Sequence, residues 1–179
     1  MDFITACKEG DIKKAKKILN RNIDIHADNE KAFREACLEG HLEIAKWLIE
    51  IGNEQKNPIN IHAFNDCAFC WACENGRLEI AKWLLKLSKK FRVIDIHADN
   101  EQVFRYVCQN NQLEVAKWLI KIGDEQKNPI DIHAENENAF WLACEYDQFE
   151  VAKWLVEIGN EQKNPINIHA NDEYAFRSV

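Results

Sequence analysis

The tripeptide Ile-His-Ala occurs five times in the chain, at Ile25–Ala27, Ile61–Ala63, Ile96–Ala98, Ile132–Ala134 and Ile168–Ala170, at steps of 36, 35, 36 and 36 residues. A second string, Ala-Lys-Trp-Leu, recurs in the same register at Ala45–Leu48, Ala81–Leu84, Ala116–Leu119 and Ala152–Leu155. Trp47, Trp83, Trp118 and Trp154 are therefore one position met four times. A unit this short cannot bury its own apolar face, so a chain written in such units has to stack them.

Each unit reads as two helices and a turn. The first helix is short, as in Asn29–Glu39, with Asn29 as its N-cap and Glu30 as an anion at its positive end. Asn65, Asn100, Asn136 and Asp172 hold the same place as Asn29. Ala32, Phe33, Ala36 and Cys37 share one face at helical spacing and are expected to be buried. Gly40 ends this helix. His41–Ile51 forms the second, with Leu42, Ala45, Leu48 and Ile49 as its inner stripe and Gly52 as its stop. Glu43, Lys46 and Glu50 are helical neighbours outside, worth roughly 0.2–0.5 kcal/mol per pair. Neither helix is long enough to stand alone. The loop Ile51–Ile59 returns almost verbatim at Ile122–Ile130 and Ile158–Ile166, where Pro58, Pro129 and Pro165 forbid helix continuation. The alternation Ile59-Asn60-Ile61-His62 suits a short extended arm of a hairpin.

Short helix, Gly-His-Leu-Glu-Ile-Ala-Lys-Trp-Leu-Ile second helix, loop and Ile-His-Ala, in that order, resemble the ankyrin repeat over essentially the whole chain. Gly40-His41-Leu42-Glu43 and Leu48-Ile49 sit at that family's typical positions. The usual period is about 33 and the usual first-helix signature Thr-Pro-Leu-His. Here the corresponding residues are Lys31-Ala32-Phe33-Arg34, and the extra length lies in the Asn-Glu-Gln-Lys-Asn-Pro loop. Ala-Phe-Arg with Ala-Cys-Glu-Asn-Gly and Ile-His-Ala is similar to the arrays encoded by large DNA viruses of amoebae. The resemblance implies an all-α repeat solenoid of stacked helix–turn–helix units with short hairpin-like loops. It implies one array over 1–179: a short cap repeat 1–27, full repeats 28–63, 64–98, 99–134 and 135–170, and a truncated repeat 171–179. It further implies a protein-interaction module without catalytic residues, in the viral case an adaptor acting on host proteins. In the first unit Lys13, Lys14, Lys16 and Lys17 give the polar outside expected of a cap. At the other end no second helix follows Tyr174–Val179, which leaves self-association through that end as an alternative to a monomeric binder.

Composition narrows the partner. Hydrophobic residues make up 46% and charged residues 30%, a folding composition. The formal net charge of −7 disfavours nucleic acid and favours a basic protein surface. No stretch approaches the roughly 18 apolar residues of a membrane span. Asp2, Lys8 and Glu9 interrupt the first ten residues, so no secretory leader is read there. With seven cysteines, an odd count, this points to free thiols and a reducing, cytoplasmic setting, including a host cytoplasm.

The repeated histidines invite a metal reading. Neighbouring repeats stand roughly 8–10 Å apart, too far for two of them to share one ion with Zn–N bonds of ~2 Å. A hydrogen-bonding role in the hairpin is preferred over a pH-sensing ladder. Cys67, Cys70 and Cys73 stand at i, i+3 and i+6 on a helix, where core and surface cysteines are the expectation and a zinc site would need a fourth ligand. No nucleophile–base arrangement and no phosphate-cradling loop is visible, so neither a catalytic site, nor a metal, nor a cofactor is assigned. The second-helix Trp row reads as packing between repeats rather than as a recognition surface.

The first helix is where copies differ. With Ala32, Phe33, Ala36 and Cys37 inward, positions 31, 34, 35 and 38 point away. They read Lys31, Arg34, Glu35, Leu38, then Cys67, Cys70, Trp71, Glu74, then Gln102, Arg105, Tyr106, Gln109, then Asn138, Trp141, Leu142, Glu145. Drift on a solvated face predicts small polar residues, whereas Trp, Tyr and Arg dominate interface energies. Arg34, Leu38, Cys70, Trp71, Glu74, Arg105, Tyr106, Gln109, Trp141 and Glu145 are accordingly the expected partner-binding residues, against aromatics that merely pack on a neighbouring repeat. Position 35 is the one expected to be partly buried. Glu30, Asp66, Glu101 and Glu137 are expected to form an acidic rim facing a basic partner.

Overall fold

A computed structural model describes residues 2–19, 22–90 and 92–170. Its helices come in pairs, and no strand occurs among the described residues. The chain divides into two compact units, residues 1–94 and 95–179. In the first unit the pairs are α1 (Phe3–Lys8) with α2 (Ile12–Ile18), α3 (Ala27–Glu39) with α4 (Leu42–Glu54), and α5 (Ala63–Glu74) with α6 (Leu78–Ser88). The second holds α7 (Ala98–Gln109) with α8 (Leu113–Glu125) and α9 (Ala134–Glu145) with α10 (Phe149–Glu161). First helices stack on first helices, α1 on α3 on α5 and α7 on α9, which makes each unit a helical repeat stack. The expected Tyr174–Val179 end and Asp172 lie outside the described residues.

The interior follows the helical period. Ala32, Phe33, Ala36 and Cys37 are all buried, and Phe69 and Phe104 repeat Phe33 with complete burial. Each such phenyl contributes roughly 1.5–3 kcal/mol. The second-helix seam is Ile44, Ala45, Leu48 and Ile51, whereas Leu42 and Ile49 remain half-buried, so the expected stripe is rotated toward its neighbour. The Trp row lies between repeats. Trp47 meets Phe3 at 6.2 Å between ring centroids, Trp83 meets Phe33 at 6.3 Å, and Trp154 meets Phe104 at 6.4 Å. Side chains also cap the helix in front: His41 Nε2 donates to the Lys8 carbonyl (3.0 Å) and Arg77 Nε to that of Leu38 (3.1 Å).

Gly40 ends α3 in the left-handed region, as expected. Gly52 does not end α4, which runs on to Glu54. Its role is contact: a Cβ there would stand 2.9 Å from the Asn57 carbonyl oxygen, because the returning loop lies against the helix. The hairpin-like arm is a turn without strand pairing. In it the Ala63 amide donates to the Asn60 carbonyl (3.1 Å) and the His62 amide to the Asn60 side chain (3.0 Å).

Candidate interaction face of the first helices

The entry to each first helix differs most from expectation. Asp28, Asn29 and Glu30 all have positive φ (52°, 54° and 64°), as do their counterparts 64–66, 99–101 and 135–137. Asn29 is thus a left-handed turn residue and not an N-cap; no side chain caps α3. Asn and Asp bear this conformation at least cost, because their short polar side chains bond locally. Glu30 is not a surface anion either. Its carboxylate accepts from His26 Nδ1 (3.0 Å) and from the Asn60 amide in the turn that follows the helix pair (3.0 Å). The arrangement recurs with His97 and the Asp131 amide on Glu101, and with His133 and the Asn167 amide on Glu137. His26, His62, His97 and His133 are therefore turn hydrogen-bonding residues, each donating Nδ1–H to a carboxylate.

The acidic rim is corrected by the same geometry. Glu30, Asp66, Glu101 and Glu137 are only 6–8% exposed and face no solvent-borne partner. Asp66 is one methylene shorter than its counterparts. It pairs with His62 and takes Arg92 Nη2 at 2.9 Å, a residue from the shortened third-repeat loop.

Arg34 is a second correction. It was expected to point into solvent and is 8% exposed. Its Nε donates to the Asn29 carbonyl and its Nη2 to that of Asp28, both at 2.9 Å. Arg105 repeats the clamp on Asn100 and Asp99, at 3.0 Å each, and adds Nη1 to the Asn138 side chain (2.9 Å). The left-handed turn presents bare carbonyls, and the planar guanidinium fork satisfies two at once. Both arginines thus organise the turn.

Past that clamp, the Arg34 guanidinium lies between two rings, 4.7 Å from the Phe64 centroid and 5.2 Å from that of Trp71. Phe64 is 61% exposed. It occupies the place of Asp28, Asp99 and Glu135, so comparing that turn position across copies would have revealed it; the first-helix positions alone do not. Beside it, between the turns of the second and third repeats, lies a cleft of about 620 Å³ bordered by Asn29, Asn57, Asn60, His62 and Phe64.

The remaining expected residues distribute as follows. Leu38, Cys70, Trp71 and Glu74 are half-buried on the first unit's first-helix face. In the second unit Tyr106 is 37% exposed, Gln109 and Trp141 are half-buried, and Glu145 is exposed. Position 35 varies from the exposed Tyr106, through the half-buried Trp71 and Glu35, the latter paired with Lys8 at 3.1 Å, to the buried Leu142. All seven cysteines are free. Burial pushes the Cys70 thiol up to about 12, and Cys73 is buried in the core while Cys67 and Cys70 are half-buried. Among the described residues no group of three or more His, Cys, Asp or Glu side chains could hold a metal ion. No described helix is long and apolar enough to cross a membrane.

A family model described as ankyrin repeats (3 copies) matches residues 3–97 and 92–167. No curated protein matches the chain.

Proposed function

The chain belongs to the ankyrin-repeat family, generally a non-enzymatic protein-interaction fold, and from that premise we propose that it holds a partner protein on its first-helix faces. The observation that supports this reading is the placing of the aromatic rings that break the repeat. Phe64 and Tyr106 stay exposed, and Trp71 and Trp141 half-buried, at positions where other copies carry polar or aliphatic residues. Exposed rings held by a rigid scaffold lose little entropy on binding, and such side chains supply most of the energy of an interface. In the first unit Arg34 backs two of these rings, with its guanidinium over Phe64 and Trp71. In the setting implied by the resemblance to viral arrays, the partner is a host protein.

The test combines Phe64→Asp, Trp71→Ala and Tyr106→Ala. Asp28 and Asp99 already occupy the Phe64 position, so the turn accepts the first change. Helicity by circular dichroism is expected to stay near the parent's. Affinity purification from the native host is expected to lose the partners that the parent chain retains. An unchanged set of partners with helicity intact refutes the assignment of this face.

A further inference from the structure

One carboxylate on this face is left uncompensated. Elsewhere in the first unit the buried and half-buried acids are matched: Glu30 by His26, Asp66 by His62 and Arg92, and Glu35 and Glu39 by Lys8 at 3.1 and 3.8 Å. Glu74 is half-buried at the end of α5, one helical turn beyond Trp71, and no cation or hydrogen-bond donor is bonded to it among the described residues. Its neighbours are thiols, Cys70 and Cys73, which offer no charge. Burial holds its carboxyl above the usual range. At the same repeat position Leu38 and Gln109 stand in two other copies and Glu145 in the last, so packing accepts an acid there without requiring one.

Resting on the reading of this face as a binding surface, we propose that the segment bound on α5 is basic, with an Arg or Lys side chain against the Glu74 carboxylate beside Trp71 and an apolar residue against Phe64. A partly desolvated carboxylate interacts with a cation more strongly than an exposed one, because water screens it less. At the other end Phe64 offers an exposed ring beside the cleft that its turn borders. The helical stretch from Cys67 to Glu74 is about 10 Å long at roughly 1.5 Å per residue. An extended segment covers that in about three residues at roughly 3.3 Å each. Phe64 stands before this stretch, across its turn, so the basic and apolar residues of the occupant stand at least three or four positions apart.

The experiment pans a random dodecapeptide phage library on the full chain and measures binding of the enriched peptides by fluorescence anisotropy. Enriched peptides are expected to pair Arg or Lys with an aliphatic or aromatic residue at least three positions away. Glu74→Gln, and separately the peptide's base changed to Ala, should each weaken binding about tenfold, and the two together no further. Glu74→Leu, which copies Leu38, is a second variant the fold accommodates. Affinity should fall as pH is lowered through the Glu74 titration, since protonation removes the anion, and this dependence should vanish in Glu74→Gln. Peptides without a base, no enrichment at all, or indifference to both Glu74 variants overturn the basic occupant. If such peptides are still lost on Phe64→Asp with Trp71→Ala, the face stands and only its chemistry is wrong. If they are indifferent to all of these changes, both readings fall.

Discussion

Single residues do their work here by satisfying carbonyls and amides that the left-handed turn would otherwise leave bare. Arg34 covers two carbonyls in one turn, and Arg105 two in another. Arg34→Ala is expected to destabilise the chain by about 1–3 kcal/mol in urea unfolding, the cost of orphaned partly buried acceptors, and Arg105→Ala by less, because water reaches the carbonyls it bonds. Arg34→Lys should not restore the loss, since an ammonium lacks the fork. Parent-like stability of Arg34→Ala would rule the clamp out. None of this was legible from the residues alone. Asn29 suits an N-cap and a left-handed turn equally well, and Glu30 suits a helix-start anion as well as a buried acceptor. Only the amide of Asn60, thirty residues on, decides between the two roles of Glu30.

Among the elements, the second helix and its loop show how repeat length and residue choice are coupled. In the 36-residue repeats the loop returns over a glycine. The Asn57, Asn128 and Asn164 amides donate to the carbonyls of Gly52, Gly123 and Gly159. The third repeat is one residue shorter and has Ser88 there, whose Oγ donates to the Leu85 carbonyl and accepts from the Ile94 amide. A Cβ at Gly123 would lie 2.9 Å from the Asn128 oxygen and 3.0 Å from the Ile130 nitrogen, both backbone atoms. Gly123→Ala should therefore cost about 1–3 kcal/mol as strain, although alanine favours helices. A stabilised variant in thermal unfolding would show that the loop yields freely. The helices and their inner residues were legible because burial imposes its period on the sequence. The end of the second helix was not, because glycine marks a close approach as readily as a stop.

At the scale of the whole molecule, stability in a stack of repeats is local, set by each repeat and its neighbours. The first repeat is the thinnest: α2 has seven residues and buries only Ala15. Hydrogen exchange is expected to release its amides well before those of α4, whose seam is fully packed. Equal protection of the two would contradict this. The fold was legible at this scale because a repeated string can only mean repeated structure. The proposed binding face was legible in part, since Trp71 and Tyr106 break the pattern visibly, whereas Phe64 lies outside the helix positions compared and three of the four turn carboxylates take a partner from the far end of their repeat. That dependence has a direction. Glu30, Glu101 and Glu137 each wait for an amide thirty residues further along, on Asn60, Asp131 and Asn167. A ribosome delivers the acceptor first and its donor only thirty residues later, after the helix pair between them has been made. Each of these turns is therefore completed from behind, by the end of the repeat it opens.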